Sequence, residues 1–295
     1  MCTAVLSVEP GEPVLLAGVR DEFADRAWQP PGQYWPDYPG VVGGRDLQAG
    51  GTWLAVAPAS RRVTCVLNGR GRMAPPGSRR SRGVLPLRAA ADGQPAPSEL
   101  ADFDPFHLLS AEPGAAVLWS WDGQRLTERK LTAGLHIVVN SGLGSELLAG
   151  DAPAAGDSPA AGDRSRPASR ESAENDHQLA RLAHFLPQFR AAVRPDPRPG
   201  SPVSQAWGAW LPLVNGAGIS PEDPRALIVR RDLGAGRIWG TTSISLVALS
   251  PDGLRYDFNA APGDMAGWHP VPLGSAAAPG QRHLPDSSPS ATPDV

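Results

Sequence analysis

Apolar and β-branched positions run almost unbroken over residues 3–8, TAVLSV, stop at Glu9-Pro10-Gly11-Glu12, and resume over 14–19, VLLAGV. Pro presets φ at the second position of a turn and Gly accepts a positive φ at the third, so this stretch predicts a β-hairpin. Residues 52–56 and 62–67 predict a second pair of strands. Three more follow at 116–121, 125–131 and 135–139, around turns at Asp122-Gly123 and Ala133-Gly134. The last strands are expected at 226–231, 238–249 and 254–258. The period changes over 177–193, where Leu179, Leu182, Phe185, Leu186 and Phe189 recur at helical spacing. Asp176 is the candidate N-cap of that helix, and Pro187 is expected to kink or end it. Residues 103–109 predict a short helix, and 24–51, rich in Pro, Gly and aromatics, a long loop. Strands, then a helix, then strands again indicate an α+β domain with stacked sheets.

Composition narrows the ordered part. The 33 glycines and 33 prolines among 295 residues assign much of the chain to loops and tails. Residues 149–176 contain AGDAPA, AGDSPA and AGDRSR as near-repeats. Such a segment buries too little apolar surface to offset its ordering entropy, and is expected to be a disordered insertion. A disordered tail is expected over 275–295, leaving one domain over 2–274.

Charge excludes little but redirects attention. With 27 basic and 30 acidic side chains the net charge is −3, so nothing draws the whole chain to nucleic acid. The arginines of 69–83, GRGRMAPPGSRRSRG, carry no interleaved aromatics for base stacking. No apolar run approaches the ~20 residues of a membrane span. The opening residues lack a basic n-region, so no secretory signal is expected. Two cysteines, Cys2 and Cys65, make no disulfide framework. These features predict a cytoplasmic protein. The six histidines show no metal-ligand spacing.

The candidate chemistry lies in the first hairpin. Cys2 opens one strand, and Arg20-Asp21 closes its partner. An antiparallel pair sets these ends side by side. Removal of Met1, which the small Cys2 side chain permits, would leave an α-amine of pKa ~7.7–8.0 beside a thiol of ~8.5. An N-terminal amine can then act as base toward the side-chain nucleophile. Cys65, within a strand pattern, is expected to be a core thiol. Trp28, Trp35 and Trp53 are expected to flank the conjectured site and are candidates for the wall of an apolar cleft.

Four blocks occur in order: MCTAVLSV, LLAGVRDEF, VVGGRDLQAGGTWLAV and VTCVLNGRG. FDPFHLL, LTAGLHIVVNS and GRIWGTTSISLVAL follow. Together they resemble the NRDE family, also called the transport-and-Golgi-organisation family. That family in turn resembles the cysteine N-terminal-nucleophile hydrolases. The resemblance implies a four-layer αββα sandwich with the nucleophile at the start of a central strand. It implies an amidohydrolase-like activity on an unknown amide or acyl substrate, with Cys2 as nucleophile. Arg20 and Asp21 match the Arg-Asp of the motif, and Asn68 and Asn140 match asparagines at strand ends. Val19 stands where the motif has Asn, and Thr242 where the family often has Arg. No cofactor is implied. A second reading on the same fold is a non-catalytic protein that binds or carries an apolar ligand: haem as cargo, or a lipid or acyl-CoA.

Overall fold

The computed structural model describes residues 2–95, 97–149 and 170–274. In chain order the strands begin with β1 (Thr3–Val8), β2 (Val14–Phe23), β3 (Trp28–Gly32), β4 (Val42–Asp46), β5 (Leu54–Ala57) and β6 (Arg62–Asn68). Helix α1 (Val84–Asp92) precedes β7 (Phe106–Glu112), β8 (Ala115–Trp121), β9 (Leu126–Leu131), β10 (Gly134–Val139) and β11 (Gly142–Leu143). Four helices come next: α2 (Gly144–Ala149), α3 (Arg170–Ala191), α4 (Val203–Trp207) and α5 (Trp210–Val214). The chain closes with β12 (Arg230–Asp232), β13 (Ile238–Leu249), β14 (Leu254–Asn259) and β15 (Trp268–Pro270).

The strands form two antiparallel sheets. One runs β11-β10-β1-β2-β13-β14-β15 with β12 paired to β13, and the other runs β3 to β9 in chain order. The alternation of side chains along β1 and β2 explains how the sheets stack. Ala4, Leu6, Val8, Val14 and Leu16 point one way and join Val56, Val63, Cys65 and Leu109 of the second sheet in one core. Val5, Leu15, Ala17 and Val19 point the other way, onto Leu182, Phe185 and Trp210 of α3 and α5. The outer face of the second sheet packs Leu108 and Trp119 with Leu85 and Ala89 of α1. The chain is therefore α+β, with helices on the outer face of each sheet.

The first hairpin forms as its pattern requires. Glu12 N donates to Glu9 O at 3.2 Å, and Gly11 takes φ +79°. The register sets Thr3 opposite Val19 on one side and Val139 on the other. Between Thr241 and Ser243 the pairing of β13 with β2 shifts, so Thr242 is the extra residue of a β-bulge facing Arg20 and Asp21.

Several expectations are corrected. Residues 24–51 contain β3 and β4. Pro30 and Pro31 sit in the edge strand, where a missing N–H costs no ladder bond. Phe106–Glu112 is a strand, because its short apolar run buries both faces of a sheet rather than a helical stripe. Helix α3 starts at Arg170, so Asp176 lies inside it as an exposed residue and is not its cap. Pro187 neither ends nor breaks it. Pro187 and Ala183 both face solvent, so the carbonyl left without a donor is open to water. Of the 226–231 strand only Arg230–Asp232 forms. The expected disorder over 149–176 and 275–295 falls mainly outside the described residues; 170–176 is helical.

Candidate active site

Three strand ends meet at Cys2. It precedes β1, Arg20 lies on β2 one step beyond the Thr3–Val19 pair, and Asn140 follows β10 one step beyond Val139–Thr3. Cys2 N donates to Asn140 Oδ1 at 3.3 Å, and Cys2 Sγ lies 4.0 Å from Asp21 O. Strand alternation sends the Arg20 and Asp21 side chains to opposite faces.

Arg20 points between the sheets. Its guanidinium sits 4.3 Å from the Trp53 ring centroid and donates to Thr242 Oγ1 at 2.7 Å. Asp46 lies 3.6 Å away and Glu22 4.0 Å. Burial pulls the Arg20 guanidinium downward, opposed by Cys2, Glu22 and Asp46. Asp46 itself holds Arg26 at 2.6 Å and caps the Gln48 and Ala49 amides. The GRDLQAGG turn thus braces Arg20 from below.

Asp21 points toward α3. Thr241 donates to Asp21 Oδ1 at 2.6 Å, and Arg181 Nη1 stands 3.8 Å from Asp21 Oδ2. Among the described residues Oδ2 has no hydrogen bond. Burial drives the Asp21 carboxyl upward, opposed by the amino terminus, Arg181, the Thr241 hydrogen bond and Arg231. Arg181 is equally enclosed, so burial lowers it, with Asp21 opposing. It also donates to Thr3 Oγ1 at 2.7 Å and Ala226 O at 2.8 Å, tying the residue after Cys2 to the helix.

Asn140 is fixed from both sides. Its Nδ2 donates to Glu174 Oε1 at 3.4 Å, and Gln178 accepts from Ser141 N at 2.9 Å. From the second sheet, His107 makes a hydrogen bond to the Asn140 backbone, and its Nδ1 lies 2.8 Å from Ser120 Oγ. Burial pushes the His107 imidazole down to about 4, so it is neutral near pH 7.

A cleft opens at Cys2, lined by Gly18, Arg20, Trp53, Leu54, Cys65 and Leu67 among others. Burial pushes the Cys65 thiol up to about 12, Cys2 adding to it. Of the three tryptophans named above, Trp53 lines this cleft and Trp28 meets the Trp53 ring edge-to-face, centroids 5.7 Å apart. Trp35 packs instead beside Val41, Ala57 and Leu87.

The structure therefore brings Cys2, Arg20, Asp21 and Asn140 together. Asn68 ends β6 as an exposed residue, one position beyond Leu67 and outside the cleft lining. Sequence reasoning missed Arg181, Thr241, Glu174 and His107. A signal existed for Arg181. The positions four residues before Leu182 and Phe185 on the apolar face of α3 are Gln178 and Arg181, which are buried at 0% and 1% exposure. Val19, at 2% exposure, packs into the core beneath α3. Thr242 stands against the Arg20 guanidinium. Among the described residues no three His, Cys, Asp or Glu side chains converge as a metal site, and no helix is long and apolar enough to cross a membrane.

The family model described as Transport and Golgi organisation 2 matches residues 1–151. No curated protein matches the chain. Among solved structures, a Caenorhabditis elegans N-acylethanolamine-hydrolyzing acid amidase ortholog is similar at 13% identity. That match spans 47% of this chain and 70% of the other, with a TM-score of 0.32.

Proposed function

Because this chain belongs to the Transport and Golgi organisation 2 family, we propose that it is an amidohydrolase whose nucleophile is the thiol of Cys2, freed as the N-terminal residue by removal of Met1. The observation that carries this reading is the double environment of Cys2. Its nitrogen faces the Asn140 carbonyl oxygen at 3.3 Å, while the residue lines an apolar cleft beside Arg20. The two sheets with helices on both outer faces support the four-layer αββα arrangement that such a nucleophile occupies.

In the reaction the α-amine accepts the thiol proton. The thiolate adds to the amide carbonyl, a C–S bond forms, the C–N bond breaks, and the ammonium returns the proton to the leaving amine. Water then hydrolyses the thioester and releases the acid. Asn140 Oδ1 and Asp21 Oδ2 orient the amine, and Arg20 supplies positive charge on the thiol's side. Asn68, which ends β6 one position beyond the Leu67 of the cleft lining, is the candidate donor to the oxyanion once its exposed side chain turns toward Cys2; one such donor lowers a barrier by ~2.7–4 kcal/mol.

The test is an acyl-amide library with Cys2→Ala as control, after intact mass has established loss of Met1. Wild-type cleavage with a transient acyl adduct on Cys2 supports the assignment. Equal cleavage by Cys2→Ala sinks it.

A further inference from the structure

The cleft at Cys2 is shallow, and its floor belongs to the core. Its volume is about 20 Å³, where a single water needs roughly 10–15 Å³. Ala4, Leu54, Cys65 and Leu67 form the floor at 1%, 1%, 5% and 3% exposure. Leu54 already presses on the facing sheet: a β-carbon built at Gly18 would meet Leu54 Cδ1 at 3.0 Å. One side is closed by Arg20 over Trp53. All four floor residues pack into the core between the sheets, where close packing leaves little slack for a larger guest. Apart from Cys2 and Arg20, the lining offers only apolar side chains, Thr3 excepted.

We infer that the acyl group accepted by Cys2 is short, of one or two carbons, and that Leu54 and Cys65 set this limit. The inference rests on the reading of Cys2 as acyl acceptor and adds the substrate class. A two-carbon acyl group places a single methyl in the cleft. Each further methylene must displace floor side chains or turn out to solvent, forgoing burial. The leaving amine lies on the open side of the cleft and is not limited by it.

The experiment uses the full chain and two probes, p-nitrophenyl acetate and p-nitrophenyl octanoate. In each the thiolate adds to the ester carbonyl, the C–S bond forms, and p-nitrophenolate leaves as the C–O bond breaks. Acylation of Cys2 is followed by intact mass and peptide mapping, and each rate is divided by that of free N-acetylcysteine. The expected result is an acetyl preference of at least about tenfold, the scale on which apolar pockets discriminate single methylenes. Leu54→Ala should shrink that preference by opening the floor, and Cys65→Ala, a milder truncation, should do so if Leu54→Ala fails to fold. An octanoyl rate equal to the acetyl rate, with Cys2 acylated by both, overturns the short-acyl inference and leaves the nucleophile standing. Acylation of Cys2 by neither probe above the free-thiol rate refutes the nucleophile reading and this inference with it.

Discussion

At the scale of single residues, the site depends on buried groups whose partners are few. Arg181 and Asp21 face each other across 3.8 Å at 1% and 2% exposure. Removing one member of such a pair strands the other charge and typically costs ~3–5 kcal/mol. Arg181→Leu should therefore lower stability by about that amount in urea unfolding, and adding Asp21→Asn should recover part of the loss. Equal or larger loss in the double variant would show that the two do not act as a pair. Asn140→Ala removes the oxygen facing Cys2 N, and Cys2 acylation should slow by about 100-fold, the low end for positioned proton-transfer groups. Retention of the wild-type rate would remove Asn140 from the machinery. His107 predicts a pH dependence. Its imidazole is held down to about 4, against ~6.5 in an unfolded chain. As pH falls through that window the unfolded state binds the proton first, so stability declines from about 6.5 downward and has lost about 3 kcal/mol below 4. The urea midpoint of His107→Asn should fall less steeply than wild type over that range, and parallel curves would assign the titration elsewhere.

At the scale of elements, glycines hold loops against each other. Gly71 has φ +140°, and a β-carbon there would lie 2.0 Å from Asp122 O; at Gly123, φ +90°, it would lie 1.9 Å from Arg72 O. The two turns clasp backbone to backbone, with Arg72 N donating to Asp122 O at 2.7 Å. Gly71→Ala should lower Tm by several degrees, at roughly 2–4 °C per kcal/mol for a chain of this size, and an unchanged Tm would show that the clasp contributes nothing. The same physics limited what the sequence revealed. Gly43 and Gly44 look like loop residues, but they lie in β4 because Leu54 O and the Trp53 ring approach them too closely for any side chain. Helix α1 was hidden by its short, Pro-containing run VLPLRAAAD, whose Pro86 falls in the first turn, where no N–H is needed. The first hairpin was legible because its turn chemistry and its alternation are both local. Cys2 and Arg20 could be placed from the ends of that hairpin, and Asn140 from the family resemblance. Thr241 could not, since its role arises from a bulge in a distant strand, and the stripe of α3 signals only that Arg181 is buried, not that it meets Asp21 far away in the chain.

At the scale of the whole molecule, the sheet of β1 and β2 is buried on both faces, and both cores share it. Leu6 at 0% exposure faces the second sheet, and Leu246 at 0% faces α3 and α5. Truncating either to Ala should cost ~2–5 kcal/mol. Since the cores share one sheet, each variant should lower a single transition seen alike by tryptophan fluorescence and far-UV circular dichroism. Separate transitions would mean that the two cores unfold independently.

The distances along the chain between Cys2 and its partners also impose a schedule. Asn140, Arg181 and Thr241 all follow Cys2 in the chain and must be synthesised before the pocket around it can close. At about 5–20 residues per second, that leaves a window of roughly tens of seconds in which the segment around Cys2 stays open to processing. The removal of Met1 proposed above can be finished within that window. The amine would then be uncovered while accessible and enclosed only when the last strands arrive.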